Sequence, residues 1–352
     1  MKALILSGGH GTRLRPLTYS QQKQLIPIAN KPVLFYAIED VIEAGIHEIG
    51  IIVGPNKEQV IETVKNANFD ANIEFIYQPE PLGLAHAIIV AREFLGKDDF
   101  VMYLGDNILK EGITKHLEHF KASNYDASIL LCEVPNPSQF GVAELSKDGK
   151  KVVRLIEKPK NPPSNLALVG IYFFTPIIHE ACKHLKPSWR NELEITDAIQ
   201  WLIDNGYKVG WTKVTGWWKD TGKPEDIIDA NRLVLDDIKT SIKVKTNAKI
   251  IGRVVIEEGT EIDENTVIKG PAIIGKNCKI KNAYIGPYTS IGNNCVIENA
   301  EIEDSIVMDG TVIKYQGRII ESLIGKDVVI KEKSKKPIGR KFVLGDRSRV
   351  VL

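Results

Sequence analysis

Two cations and two carboxylates, far apart along the chain, have the chemistry to act on a polyphosphate. Arg13 and Lys23 follow a turn holding Gly8, Gly9 and Gly11 in LSGGHGTRLRP, directly after the apolar stretch KALIL. Glycines allow positive φ and close backbone approach, so successive N–H groups can point at an anion. The turn departs from both common glycine-rich phosphate motifs. No Gly-Lys-Ser/Thr follows at P-loop spacing, and Leu14 stands where a dinucleotide fingerprint needs its third glycine. A planar guanidinium and a downstream lysine suit a triphosphate instead, although glycine turns after a first strand also occur for packing. Asp106, in VMYLGDN, follows a run that reads as a buried strand, where open α/β sheets gather ligands. Asp220, in WWKDTG, sits in a second turn. Two separated carboxylates suit Mg2+, which takes few protein oxygens and completes its shell with phosphate and water. Either aspartate alone would also serve as a helix or turn cap. No Cys, Ser or His stands in a nucleophile motif.

The elements that must position these groups alternate. KALIL, EIGIIV, IEFIY and DFVMYLGD read as buried strands, being short, β-branched and bounded by turn residues. Between them KPVLFYAIEDVIEAG predicts a helix with Pro32 at its start and Gly45 as its cap. NKEQVIETVKNA and GLAHAIIVAREFLG predict two more helices. Further strands (YDASILLCEV, VVRLIEK, LALVGIYFF) and helices (ELEITDAIQWLIDNG, KPEDIIDANRLVLDD) follow. The alternation predicts a mixed, mainly parallel sheet with helices on both faces, a Rossmann-like α/β domain over residues 1–240. From about 245 an aliphatic residue recurs near every sixth position, as in IGRVVI, IGNNCV and LIGKDVVI. Such hexads build a parallel β-helix, one flat side per six residues, expected over 241–352; a sandwich of short strands is the plainer alternative. The basic tail KEKSKKPIGRKFVLGDRSRVVL reads as a solvated end cover.

With 352 residues, two domains are expected. A net charge of +1 gives no global field toward nucleic acid or anionic membrane. Cys132, Cys182, Cys278 and Cys295 form no Cys-x-x-Cys pair and read as small buried residues of a reducing compartment. No apolar run reaches the ~20 residues of a membrane span, nor does ALIL make a signal-peptide core. A cytoplasmic protein is expected.

GGHGTRLRPLTYSQQKQLIPIANKP resembles the signature of the sugar-phosphate nucleotidyltransferases, in the long form with a left-handed hexapeptide β-helix at the C-terminus. QPEPLGLAHA, LGDN, FGV, EKP, VGIYFF, ELEITDA and WWKDTG extend the resemblance over nearly the whole chain. It implies transfer of a nucleoside monophosphate to a sugar 1-phosphate by direct in-line displacement, with pyrophosphate leaving and no covalent enzyme intermediate. Catalysis would then rest on positioning and charge stabilisation. Arg13, Lys23 and Lys158 are the implied catalytic cations. Leu6, Gly8, Gly9, Gly11, Thr12, Arg13, Gln24, Gln78, Pro79, Gly83 and Asp106 would contact the nucleotide. Asn107, Gly141, Glu157, Lys158, Val169, Gly170, Tyr172 and Arg190 would line the sugar-phosphate side, and Asp106 and Asp220 would hold Mg2+. RNELEITD matches as a capped helix start beside the sugar phosphate; Tyr172 equally suits the core. Phe140 stands where relatives often carry Tyr, Trp217 and Trp218 adjoin Asp220, and His10 occupies a variable position.

Gln24 after Lys23, in KQL, matches the thymidylyl branch of the family, so dTTP and glucose 1-phosphate are the implied substrates. Gln78 would read the pyrimidine edge, since an amide both donates and accepts. Thymine exceeds uracil by one methyl, worth about 1–3 kcal/mol, so side activity with UTP is expected and a UTP-using uridylyltransferase is the nearest alternative. A bifunctional enzyme with acyltransferase chemistry in the β-helix is a second alternative. It is opposed by the histidines, all of which lie at or before His184. The β-helix reads as an assembly or regulatory surface, and a homo-oligomer (dimer, trimer or tetramer) is expected.

Overall fold

The computed structural model describes residues 1–9, 11–55 and 57–332. His10 and the basic tail from residue 333 onward lie outside the described residues. The chain divides into two compact units, Met1–Ala230 and a second beginning at Asn231.

The first unit is built on a nine-stranded mixed sheet. Its parallel part holds β1 (Lys2–Ser7), β2 (Glu48–Val53), β3 (Asn72–Tyr77) and β4 (Phe100–Leu104), in the order β4-β1-β2-β3. Ile5 pairs with both Ile51 and Tyr103, and all three are fully buried. Successive residues serve opposite faces, as the strand period of two requires. Leu4, Ile52 and Met102 pack in one core layer, and Ala3, Ile51 and Val101 in the other. Helix α1 (Val33–Glu43) buries Val33, Leu34, Ala37, Ile38 and Val41, spaced by three and four, against the second layer. Pro32 is its N-cap, and Gly45, at φ 78°, follows its end. Helix α2 (Lys57–Asn66) buries Val60 and Val64 one turn apart.

Three expectations are corrected. IEFIY, in β3, is an edge strand of alternating exposure with Tyr77 45% exposed, because only β2 pairs with it. The helix expected over 83–96 is two, α3 (Leu84–Val90) and α4 (Arg92–Leu95), broken at Ala91. The sheet is also less parallel than the alternation implies. After β5 (Asn107–Leu109), helix α5 (Thr114–Ala122), β6 (Ala127–Glu133), β7 (Gly141–Leu145) and β8 (Val152–Glu157), the long β9 (Leu166–Phe174) runs antiparallel to β4, β6 and β7. A continuous apolar run such as LALVGIYFF reports burial on both faces, and burial does not set direction. Helices α6 (Ile178–Lys183) and α7 (Ile195–Asp204), β10 (Val209–Lys213), β11 (Trp218–Asp220) and α8 (Pro224–Leu235) complete the set. The division between the units falls within α8.

In the second unit short strands pair in parallel and in register, and the chain returns to each sheet turn after turn. Three isoleucine-rich columns result: Ile256, Ile274, Ile291, Val307 and Ile324; Ile250, Ile268, Ile285, Ile302 and Ile319; and Ile262, Ile280, Ile297, Ile313 and Ile330. Lys279–Lys281 is representative, with Ile280 fully buried between two exposed lysines. Asn282 and Asn299, at φ 46° and 61°, turn corresponding corners, and Asn282 donates to Asn299 at 2.8 Å. Asn tolerates this left-handed conformation better than most residues. Cys278 and Cys295 are fully buried on adjacent turns, Cys182 is buried, and Cys132 is partly exposed; all four are free thiols. Among the described residues no helix is long and apolar enough to cross a membrane.

Candidate active site

The first unit gathers its functional groups at the carboxyl ends of the parallel strands. The Gly105 amide donates to the Leu6 carbonyl at 3.0 Å and the Gln78 amide to Val53 at 2.9 Å, so the loops leaving β1, β2, β3 and β4 share one edge. Gly11 takes φ 60°, and a Cβ there would lie 2.9 Å from both the Lys23 Cβ and the Thr18 Cγ2. No other residue suits that turn. Thr18 Oγ1 donates to the Gly11 carbonyl at 2.7 Å, and the Leu14 amide does so at 2.9 Å. Leu14, occupying the missing third-glycine position, is fully buried and anchors the loop, while Thr12 and Arg13 face outward.

Lys23 and both aspartates meet. Lys23 Nζ is paired with Asp106 Oδ2, both side chains being less than a fifth exposed. β5 and β11 form an antiparallel ladder in which Asp220 stands opposite Asn107. The Thr221 amide and hydroxyl both donate to the Asp106 carbonyl, at 3.0 and 2.8 Å. Two distant turns are thereby fastened together. A Cβ on Gly222 would lie 3.0 Å from Arg13 Nη2 and 3.3 Å from Asp220 Oδ2, which places the guanidinium beside the second carboxylate. Burial works against the charge of Lys23, but Asp106 and Asp220 together outweigh it and raise its pKa. Burial, then repulsion from Asp106, pushes Asp220 up to about 6 against the pull of Lys23 and Arg13. A divalent cation would relieve that repulsion. The donors are hard carboxylate oxygens with no sulfur or imidazole, which fits Mg2+ held through one or two carboxylates. Among the described residues no cluster of three or more His, Cys, Asp or Glu forms a closed metal cage.

Gln24 and Gln78 are 3% and 7% exposed. Gln78 Nε2 lies 2.9 Å from His86 Nδ1, and a Cβ on Gly8 would lie 3.3 Å from Gln78 Oε1. Pro79 is exposed. The segment of Gly83 is tied to Leu193, which donates to the Leu82 carbonyl at 2.7 Å and accepts from Ala85 at 3.1 Å.

On the sugar-phosphate side, Gly141 pairs with Glu157 at the end of the β7–β8 ladder, and the Lys158 amide donates to the Phe140 carbonyl at 3.0 Å. Lys158 takes φ 42°, a left-handed conformation that long side chains seldom adopt. Between Leu168 and Tyr172 the β6–β9 register shifts, and Gly170 sits in that irregularity at φ 80°. A Cβ there would come within 2.6 Å of Leu104 and 3.2 Å of Asn107 Nδ2. Asn107 is 2% exposed; it donates to Asp106 at 3.1 Å and accepts from Trp218 Nε1 at 2.6 Å. Trp218 also meets Phe140 edge-on at 5.3 Å, so the indole links the two sides. Trp217 gives its carbonyl to the Lys110 amide.

Arg190 is not a free cation. Its guanidinium contacts Glu157 at 3.1 Å, Glu192 at 2.6 Å and Glu194 at 3.7 Å. Burial raises the Glu157 pKa first and Glu194 adds to it, with Lys158 and Arg190 opposing. The start of α7 lacks the expected side-chain cap: Glu194 is its N-cap and accepts instead from Ser188 Oγ at 2.7 Å. Val169 is fully buried, and Tyr172 is 3% exposed and stacked on Phe174 at 6.0 Å, which places both in the core. Sequence reasoning missed the Thr221 clasp, the Trp218–Asn107 bond and the carboxylates around Arg190. Thr221 next to Asp220 in KDTG was the one visible signal.

The nucleotidyl transferase family model matches residues 2–237, and the GMPPB C-terminal domain model matches residues 268–351. The chain is 47% identical over 352 residues to a glucose-1-phosphate thymidylyltransferase of Streptomyces griseus, covering 99% of each chain. It is 50% identical over 354 residues to the protein of that name in Streptomyces antibioticus, again with 99% of each covered. A low-salt glycan biosynthesis nucleotidyltransferase, Agl11 of Haloferax volcanii, is 49% identical over 100% of both chains. A crystal structure of a candidate glucose-1-phosphate thymidylyltransferase from Bacillus anthracis, in complex with a sucrose, is similar at TM-score 0.62. That pair shares 34% identity, covering 69% of this chain and 98% of that one.

Proposed function

Since the chain belongs to the nucleotidyl transferase family, we propose that it transfers dTMP from dTTP to glucose 1-phosphate, giving dTDP-glucose and pyrophosphate. The observation that carries this reading is the meeting of Lys23, Asp106 and Asp220 beside a glycine loop at the carboxyl edge of the parallel strands. The N–H groups of the loop and Arg13 receive the triphosphate, while Gln24 and Gln78 face the base. Glu157, Lys158, Gly141, Gly170 and Asn107 receive the sugar phosphate. A phosphate oxygen of the acceptor attacks the α-phosphorus, and the bond to pyrophosphate breaks on the opposite side. Lys23 places its charge where negative charge grows on the α-phosphate and the leaving group; such preorganised charge is the main catalytic device in phosphoryl-type transfer. Asp106 and Asp220 hold Mg2+ in this reading, and the ion supplies charge neutralisation on the phosphates when bound.

For the second unit we read a left-handed parallel β-helix. The three stacked columns and the corner asparagines support it. The absence of histidine after His184 argues against acyl transfer there. Purified protein supplied with dTTP, glucose 1-phosphate and Mg2+ should release pyrophosphate. No release under those conditions overturns the reading, and a panel of nucleotides and sugar phosphates in the same assay measures its specificity.

A further inference from the structure

Gln22 is 7% exposed and carries no role in the reading above. Its Nε2 lies 3.0 Å from the Ser7 carbonyl oxygen, 3.0 Å from that of Gly9 and 3.2 Å from Gln24 Oε1. An atom that faces three acceptor oxygens is the donor end of the amide; its two protons serve the two carbonyls, and one of them is shared with the longer contact to Gln24. The same contact leaves Gln24 presenting its acceptor end to Gln22, so its amide nitrogen is directed elsewhere. A Cβ on Gly9 would lie 3.9 Å from that nitrogen. Gln22 is itself held: its backbone N–H donates to Gln59 Oε1 at 2.9 Å, and Gln59 Nε2 donates to the Ser20 carbonyl at 2.8 Å. Gln59 belongs to α2, so the loop is braced from a helix.

The consequence follows from peptide planarity. The C=O and N–H of one peptide point in opposite directions, so a Ser7 carbonyl turned toward Gln22 turns the Gly8 N–H away from it. A glycine loop binds anions only if its N–H groups, and not its carbonyls, face the ligand. We propose that Gln22 is a positioning residue for the donor nucleotide: it draws two carbonyl dipoles away from the phosphate-facing side of the glycine loop and fixes the orientation of Gln24. This rests on reading that loop as the triphosphate site.

Steady-state kinetics with dTTP varied at saturating glucose 1-phosphate, and the reverse, test it on the full chain. Gln22→Met keeps the length and removes both donors. It should raise KM for dTTP about tenfold, the scale of one or two lost hydrogen bonds, with KM for glucose 1-phosphate within about twofold. Gln59→Ala, on an exposed side chain, should raise KM for dTTP by a smaller factor in the same selective way. An unchanged KM for dTTP in both variants overturns the proposal, as does a parallel rise in both KM values with a lowered melting temperature. If Gln22→Met does not fold, the selectivity of Gln59→Ala decides. Wild-type protein that releases no pyrophosphate refutes the proposed reaction itself; active wild type with unaffected variants refutes only the role of Gln22.

Discussion

Lys23 is buried between two carboxylates whose own repulsion it offsets. Removing it has two effects: it strips a cation from the proposed phosphate site and leaves Asp106 and Asp220 facing each other. Lys23→Met is therefore expected to lower kcat by 10²-fold or more, the scale found for one preorganised charge in a dry site. Asp220→Asn should cost a similar factor, since it removes half of the proposed Mg2+ donor set. Pyrophosphate release measures both, and a Lys23→Met enzyme keeping more than about a tenth of wild-type kcat would refute the assignment. The meeting of Lys23, Asp106 and Asp220 was suggested by residue type together with the resemblance of their motifs to the family pattern, since either aspartate alone would equally suit a cap. The surroundings of Arg190 were not legible. Spacing shows Glu192 and Glu194 nearby, but the approach of Glu157 depends on how β8 ends against the start of α7, which no local pattern encodes.

At the scale of elements, period and length carried most of the information. The three-and-four spacing of apolar residues in α1 and the near-six-residue recurrence of the second unit each follow from a single buried face, and both appear in the folded chain. The direction of β9 did not, because an apolar run is buried equally well either way. The break at Ala91 was hidden for a similar reason, since apolar residues continue through it. The isoleucine columns give a direct test of packing. Ile280→Ala, at a fully buried position, should destabilise the protein by about 2–5 kcal/mol, whereas Lys279→Ala next to it should change stability by no more than about 0.5 kcal/mol. Chemical denaturation of the two variants against wild type measures the difference; equal effects would mean that Ile280 is not part of a packed interior.

For the molecule as a whole, the sequence is nearly neutral at +1, so its response to pH comes from individual buried groups. Asp40 is the clearest of them. Burial pushes its carboxyl up to about 7, with Glu43 and Glu39 adding and the Tyr103 hydroxyl, donating at 2.7 Å, opposing. The folded state then binds a proton that the unfolded chain, near 3.8, has already released. Stability from this group is full below about pH 4 and is lost as pH rises to about 7, on the order of a few kcal/mol. Asp40→Asn should flatten the melting temperature between pH 5 and 8; a slope unchanged from wild type would place the titration elsewhere.

The in-register columns of the second unit also make its length a discrete quantity. Each column residue pairs with its equivalent one circuit later, as Ile280 does with Ile297 and Ile297 with Ile313. Deleting one whole circuit returns every remaining isoleucine to a column. The circuit from Ile297 to Ile313 is one residue shorter than that from Ile280 to Ile297, so a corner tolerates the loss of a residue. A deletion inside a strand is different, because side chains alternate there and the residues after it in that strand turn to the wrong face. This half of the chain can therefore change length by whole circuits or at its corners, and not within its strands. A variant lacking residues 280–296 should fold and melt cooperatively, whereas one lacking Ile280 alone, inside the strand Lys279–Lys281, should melt at a lower temperature than that variant.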